Sequence, residues 1–369
     1  MTVSTLLLLV GCGVFEDLPD ILLGTGDFST ETFKDTSNNA GLLKVKVDVD
    51  ADTTGLLITG ESDQHVSLER ILDPDGNPVL KWDDWYYTPY SLTYAIFGFN
   101  TATAANWPIR AEDGPLRKGA WVFELATLDS SGYYAPSTKM DITVQRKKDA
   151  DFSRGDVKVQ ITWADGVDED QDIVDGVALA VEHWRTVWAD AGLTLVESYA
   201  SSDLDPSLGF ADSGSEDLIP VAELKPPEAL LMVIGEDING KTGTFGIAGG
   251  IPGSVAPTRM TYVVISWLAH AGANGTVDDG EAALMGETMA HEAGHFTGLF
   301  HPVEFGLSAW DALADTDDCV DYVDCEIAIG HNNMYPYPIC DYYGDGGCEP
   351  QNEYTPDQAG VMNRYTPVL

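Results

Sequence analysis

The sequence predicts two folded parts in series, a small all-β sandwich followed by a mixed α/β unit, and three observations carry that reading. Short runs alternating apolar and polar residues with period two occupy the stretch from Leu43 to Val144. Beyond Gly155, apolar strand-like runs alternate with segments of helical spacing. Between the two, Arg146-Lys147-Lys148-Asp149-Ala150-Asp151 is charged and lacks alternation, as a linker does. With 369 residues and 44% hydrophobic content the chain is large enough for two cores. Its formal charge of -41, from 60 acidic against 19 basic residues, argues against nucleic acid or an anionic membrane surface as partner.

Taken in order, the chain opens on Thr5-Leu6-Leu7-Leu8-Leu9-Val10-Gly11-Cys12, an apolar run too short to span a bilayer. It resembles a bacterial lipoprotein signal, and the lipobox pattern Leu9-Val10-Gly11-Cys12 would make Cys12 the acylated first residue of an exported chain. No Lys or Arg precedes the run, a departure from that pattern. Membrane contact is expected only through this lipid, at the cell envelope or outer surface. Residues 13–40, rich in Asp, Thr, Ser, Gly and Asn, read as a flexible tether.

Residues 41–148 form the predicted sandwich. Leu43 to Val49, Leu56 to Thr59, Val66 to Glu69, Trp121 to Leu125 and Met140 to Val144 read as strands, with a turn at Asp73-Pro74-Asp75-Gly76-Asn77-Pro78 and no helix between. The pattern is similar to the jelly-roll domains that accompany many secreted bacterial peptidases.

Residues 155–369 carry the chemistry. Val157 to Ile161 reads as a strand; Asp172 to Ala191 reads as a helix, with Ile173, Val177, Val181, Trp184 and Trp188 at helical spacing and Gly192 at its end. Leu193 to Val196, Leu230 to Ile234 and Tyr262 to Ile265 read as buried strands, and a second helix starts near Glu281. That helix contains His291-Glu292-Ala293-Gly294-His295. Four residues make about one helical turn, so both imidazoles leave one face at a separation suited to a single metal ion. Gly298 can end the helix and turn the chain back to deliver His301 as third ligand. Three neutral nitrogens with an open fourth position describe a catalytic zinc site, with Glu292 beside it as general base. His65, His183, His270 and His331 stand outside any ligand spacing and read as structural or solvent-facing.

The motif His291-Glu292-x-x-His295-x-x-Gly298-x-x-His301 resembles that of the metzincin zinc metallopeptidases. The resemblance covers about Gly155 to Tyr365 and implies a twisted mixed sheet, a backing helix, an active-site helix and an irregular C-terminal subdomain. It also implies a methionine turn beneath the zinc ligands, for which Asn332-Asn333-Met334-Tyr335-Pro336 is the candidate. Trp310 to Thr316, the cysteines around Met334, and Tyr354 to Gln358 with Met362 are similar to the pappalysin-type branch, whereas Met334-Tyr335-Pro336 is more like the matrixin turn and His301-Pro302 differs from the usual pappalysin pair. By the same resemblance, Thr244 to Ala248 is the edge strand that binds an extended substrate, the segment from Pro302 to Asn333 shapes the pocket for the residue after the cleaved bond, and Tyr335 or Tyr337 is the candidate phenol for stabilising an oxyanion. Thr355-Pro356-Asp357-Gln358 reads as a capped helix start.

Removing Cys12 leaves Cys319, Cys325, Cys340 and Cys348, an even number without a CxxC pair, which in an exported chain predicts two disulfides. Of the three pairings, one that joins the segments before and after Met334 is preferred, because it would fix the floor of the zinc site. The acidic runs Asp165 to Asp170, Asp315 to Asp324 and Asp341 to Asp345 offer carboxylates for Ca2+, without EF-hand spacing. The expected activity is zinc-dependent hydrolysis of protein or peptide substrates by a monomer. The competing classes are a lipid-anchored binding or adhesion protein with an inactive zinc unit, which an intact Glu292 disfavours, and zinc chemistry directed at other amides or cell-wall crosslinks.

Overall fold

The computed structural model describes residues 27–209, 214–340 and 348–369. The expected signal with Cys12 and the acidic run Asp341 to Asp345 lie outside the described residues. In the first part, β1 (Phe28–Thr36), β2 (Leu42–Val49), β3 (Gly55–Glu61), β4 (His65–Leu72) and β5 (Pro78–Lys81) precede helix α1 (Trp82–Trp85) and the short strand β6 (Tyr90–Ser91). Then come β7 (Ala102–Trp107), β8 (Gly119–Leu128) and β9 (Lys139–Lys147). Two antiparallel four-stranded sheets result, ordered β1-β9-β3-β7 and β2-β8-β4-β5. Alternation is the cause: in β2, Leu43, Val45, Val47 and Val49 are buried while Lys44, Lys46 and Asp48 face water.

Three expectations need correction here. Strand β1 lies within the stretch read as a tether; as an edge strand paired to β9 alone, it needs little more than the buried Phe28 to anchor it. The charged stretch read as linker begins inside β9, whose last residues are Arg146 and Lys147. Lys147 is fully buried because its Nζ donates to the Asn363 carbonyl at 3.1 Å and lies 3.8 Å from the Asp149 carboxylate, so its charge has partners in the interior. Helix α1 and two 3-10 turns at Tyr94–Ile96 and Ala111–Asp113 interrupt the strands, where no helix was expected.

The second part begins with β10 (Gly155–Trp163), α2 (Gln171–Asp190), β11 (Leu193–Ser201), β12 (Ser207–Leu208), α3 (Leu218–Leu224) and β13 (Leu230–Gly235). It continues with β14 (Asp237–Ile238), β15 (Gly246–Ala248), β16 (Val263–Ser266), α4 (Trp267–His270), α5 (Asp279–Thr297), β17 (Trp310–Asp311), α6 (Tyr322–Ile329) and α7 (Pro356–Arg364). A five-stranded sheet runs β11-β10-β13-β16-β15, parallel throughout except for β15, which pairs antiparallel to β16 at the edge. Asp170 caps α2 by accepting from the Asp172 amide, and its stripe of Ile173, Val177, Val181, Trp184 and Trp188 is buried. Helix α5 crosses α2 so closely that a Cβ on Gly286 would sit 2.4 Å from the Ala180 carbonyl oxygen.

One hydrophobic core runs through both parts. Thr59 Oγ1 lies 2.8 Å from Ser254 Oγ, the Tyr94 amide donates to the Ile251 carbonyl at 2.6 Å, and β6 pairs in parallel with β17. The sandwich therefore braces the unit that carries the histidines.

Both disulfides are local, Cys319 to Cys325 and Cys340 to Cys348, which corrects the preferred crossing arrangement. What holds the methionine turn instead is a pair of side-chain amides. Asn332 Nδ2 donates to Gln358 Oε1 at 2.7 Å, and Gln358 Nε2 donates back to Asn332 Oδ1 at 3.2 Å. This ties the turn to the first turn of α7, where Thr355 and Gln358 form a capping box. Two disulfides fit an oxidising compartment outside the cytoplasm. Among the described residues no helix is long and apolar enough to cross a membrane.

Candidate metal centre

Asp278 opens α5 with a capping box to Glu281, which fixes the helix start about three turns ahead of His291. His291 and His295 leave one face of α5. Gly298, at φ +117°, closes the helix in a conformation that side chains resist, and the chain returns His301 to the other two. The Nε2 atoms of His295 and His301 lie 3.1 Å apart, and those of His301 and His291 lie 3.3 Å apart.

The other ring nitrogen of each histidine settles the tautomers. His291 Nδ1 donates to the Asn333 carbonyl at 2.6 Å, His295 Nδ1 to the Leu299 carbonyl at 2.7 Å, and His301 Nδ1 to a Glu304 carboxylate oxygen at 2.8 Å. These acceptors have no proton to give, so a hydrogen sits on each Nδ1, and in the neutral ring Nε2 keeps its lone pair for a metal. Burial and mutual repulsion hold the His291 ring down to about 3 and His295 well below its usual range, so both stay neutral. Three lone pairs facing one point repel one another unless a cation lies between them. Four-coordinate zinc with nitrogen ligands at about 2.0–2.1 Å requires ligand nitrogens roughly 3.3 Å apart, close to what the rings present. The donor set fits zinc.

Met334 is fully buried beneath this group, packed against α5 so tightly that a Cβ on Gly294 would meet its Sδ at 2.7 Å. Glu292 points to the opposite flank, against β15: a Cβ on Gly246 would fall 2.6 Å from Glu292 Cγ. Burial pushes the Glu292 carboxyl up to about 8. Strand β15 is the outer strand of its sheet, so its far edge is open to a further strand.

Next to His291 and Glu292, on the Phe245 side, is a cavity of about 110 Å³ walled by Phe245, Leu284, Tyr335, Pro336 and Pro338. Glu287 also lines it, one turn before His291 on the same face of α5. Burial pushes the Glu287 carboxyl up to about 7, while a hydrogen bond from the Gln351 backbone pulls the other way. A second trough, along Ile247 to Ile251, is completed by His65, Tyr94 and Phe99 of the sandwich.

Tyr335 packs with Val303, Cys325 and Ile329 and also lines the cavity beside His291, and the Tyr337 ring packs against Phe305 at 4.9 Å. Among the described residues only His291, His295 and His301 bring three metal-binding side-chain atoms to one point; the side chains of the acidic runs Asp165 to Asp170 and Asp315 to Asp324 do not converge in that way. His183 and His331 are exposed, and His270 is buried between the Ser266 carbonyl and Thr288 Oγ1.

Sequence reasoning assigned no role to Glu304, Asn333, Tyr354 or Glu287. Asn333 is the junction: its Nδ2 donates to the Glu287 carbonyl at 3.1 Å and the Gln351 carbonyl at 2.7 Å, and its Oδ1 accepts from Tyr354 at 2.6 Å. Glu304, three residues after His301, was legible as the acceptor for its Nδ1; the backbone acceptors leave no mark in a sequence. Outer partners of this kind typically contribute about 10–100-fold to metal affinity. Glu304→Ala is accordingly expected to weaken zinc binding by about that factor, measured by competition with a chromogenic chelator. Unchanged affinity would show that the Glu304 carboxylate does not orient His301.

No family model matches this chain, and no curated protein matches it. Among solved structures it is similar to metalloproteinase-II from Bacteroides fragilis, at 15% identity and a TM-score of 0.28, over 50% of this chain and 62% of that one. It is also similar to myroilysin, at 12% identity and a TM-score of 0.26, over 58% of this chain and 95% of that one. A family two carbohydrate esterase from Clostridium thermocellum follows at 8% identity and a TM-score of 0.15, over 57% of this chain and 62% of that one. The chain thus spans less than two thirds of the first structure's length.

Proposed function

We propose that this chain is a zinc-dependent endopeptidase of the metzincin type, with His291, His295 and His301 holding the metal and Glu292 acting as base. The observation that carries this reading is the convergence of three Nε2 atoms beside a carboxylate and an edge strand. Bound zinc supplies a water of lowered pKa and a Lewis acid for the scissile carbonyl. The chain's own residues do the rest. The open edge of β15 binds the substrate backbone as an added strand, and Gly246 lets that strand lie against Glu292. Glu292 takes the proton of the attacking water and hands it to the leaving amine. Its carboxylate form, the one able to accept a proton, is favoured when positive charge lies beside it. Cys12 is proposed as the lipid anchor of an exported protein.

Cleavage of casein that 1,10-phenanthroline abolishes and added zinc restores is the expected result. Intact casein under zinc-replete conditions, or cleavage indifferent to the chelator, would refute the reading.

A further inference from the structure

A cleft of about 560 Å³ lies on the sandwich, away from the metal centre. Its floor is one face of β4: His65, Ser67 and Glu69 line it, while Val66 and Leu68 between them are buried in the core. One wall is the segment that carries Trp82, Tyr86, Tyr87, Phe97 and Phe99. Ser67 Oγ seats that segment by donating to the Ile96 carbonyl at 3.0 Å. Gly98, at φ +66°, lets it lie close, since a Cβ there would meet Leu128 Cδ1 at 2.8 Å and Ser67 Cβ at 2.9 Å. The opposite wall is the tight turn from Asp129 to Gly132 with Tyr134, whose hydroxyl donates to Glu69 Oε1 at 3.0 Å. Core packing does not account for these rings: Tyr87 is 76% exposed, Phe99 57% and Tyr134 49%. Phe97 and Phe99 lie parallel within 9°, their centroids 6.4 Å apart, as a flat apolar strip. Large apolar groups gathered at one exposed cleft mark a binding surface.

We propose that this cleft binds a neutral oligosaccharide chain. The C–H faces of sugar rings are apolar and stack on aromatic surfaces, while the hydroxyls around their rims need hydrogen-bond partners. The cleft offers both. Aromatic rings form its wall, and Glu69, Asp129, Ser130 and Ser131 set carboxylate and hydroxyl groups beside them. Tyr134 occupies one Glu69 oxygen, and the neighbouring Arg70 is committed to Glu124 at 2.5 Å. Among the described residues no cation neutralises Glu69, so its second oxygen is left to accept from ligand hydroxyls. No Lys or Arg lines the cleft and the chain carries -41, so sulfated sugars and uronates are repelled. A peptide strand would meet the side chains of a sheet face here, where strand addition needs a free backbone edge. A lone ammonium group would fill only a small part of a volume suited to a molecule of several rings. His65 and Phe99 line both this cleft and the trough along Ile247 to Ile251, so a bound chain is held beside the edge strand β15.

The test prints neutral, sulfated and uronic-acid oligosaccharides on one array and probes it with the full zinc-loaded chain. Titration calorimetry with the best-bound neutral chain then compares wild type with Tyr87→Ala, Tyr87→Phe and Glu69→Gln, with zinc content and melting temperature as checks on folding. Wild type is expected to bind neutral chains and leave the acidic ones. Tyr87→Ala is expected to weaken binding by up to about tenfold, the scale of one ring contact, and Tyr87→Phe to keep it because the ring remains. Glu69→Gln is expected to weaken it several-fold through loss of a charged acceptor. The proposal stands apart from the peptidase reading, so glycan binding should persist in Glu292→Gln, whatever that variant does to casein. Failure to bind any neutral chain, equal binding of acidic ones, or affinity indifferent to both Tyr87→Ala and Glu69→Gln would overturn it. So would a cleft that takes polylysine in preference to every glycan. A glycoprotein cleaved faster than its enzymatically deglycosylated form, with the difference lost in Tyr87→Ala, would place the bound chain on the substrate; equal rates with array binding retained would place it on a free or surface polysaccharide.

Discussion

Replacing Glu292 by Gln should leave zinc near one per chain while turnover falls by about 10²–10⁴, the usual contribution of a positioned general base. Glutamine keeps the length and hydrogen-bonding reach of the side chain and removes only its basicity. Glu292 is not one of the three side chains whose donor atoms converge, so the metal-binding set is untouched. Its surroundings also predict that the fold survives, because the contact that crowds it comes from the backbone of Gly246, which an amide tolerates as well as a carboxylate. His295→Ala should behave in the opposite order. Loss of one of three nitrogens, on a ring that is itself buried and bonded to Leu299, ought to lower zinc occupancy first and activity as a consequence. Metal analysis and peptide hydrolysis on the two variants separate the roles. Wild-type hydrolysis by Glu292→Gln would end the mechanism proposed here.

The parts of the site that were legible in the sequence are those fixed by short-range geometry. The spacing from His291 to His295 works because a helix repeats in about 3.6 residues, and Gly298 signals a chain reversal that few other residues permit. Glu287 obeys the same rule, being one turn before His291, but its neighbours Phe245, Tyr335 and Gln351 come from distant segments that no local pattern brings together. Elsewhere the misses share a cause. Strand β1 and the end of β9 are polar, so a search for apolar alternation passes over them. Backbone pairing holds β1 in place, and Lys147 is satisfied by groups from α7 and Asp149. The methionine turn was expected to need a disulfide, and the reciprocal amides of Asn332 and Gln358 secure it.

The same long-range contacts make a final prediction: a chain that starts at Gly155 should fail to fold cooperatively and should not retain zinc. Asn106, on β7, shows why. Its Oδ1 accepts from the Thr366 amide at 2.9 Å and from Thr366 Oγ1 at 2.7 Å, and its Nδ2 donates to the Arg364 carbonyl at 3.1 Å. Thr366 is fully buried, so truncation strips partners from several interior polar groups around the end of α7. Each such orphan costs about 1–3 kcal/mol. Lys147, which bonds the Asn363 carbonyl, is lost as well, together with the apolar surface of a core that the two parts share. Against a total stability of about 5–15 kcal/mol, these losses are decisive. Helix α7 in turn holds the methionine turn through Gln358, so a loosened α7 releases the floor of the metal centre. Thermal melts by circular dichroism and zinc analysis check both consequences, with Asn106→Leu in the full chain as the finer probe. That variant should lower the melting temperature by several degrees, from the orphaned Thr366 and Arg364 groups alone. If the chain starting at Gly155 melts cooperatively with zinc bound, the sandwich is an appendage and the shared core contributes nothing essential.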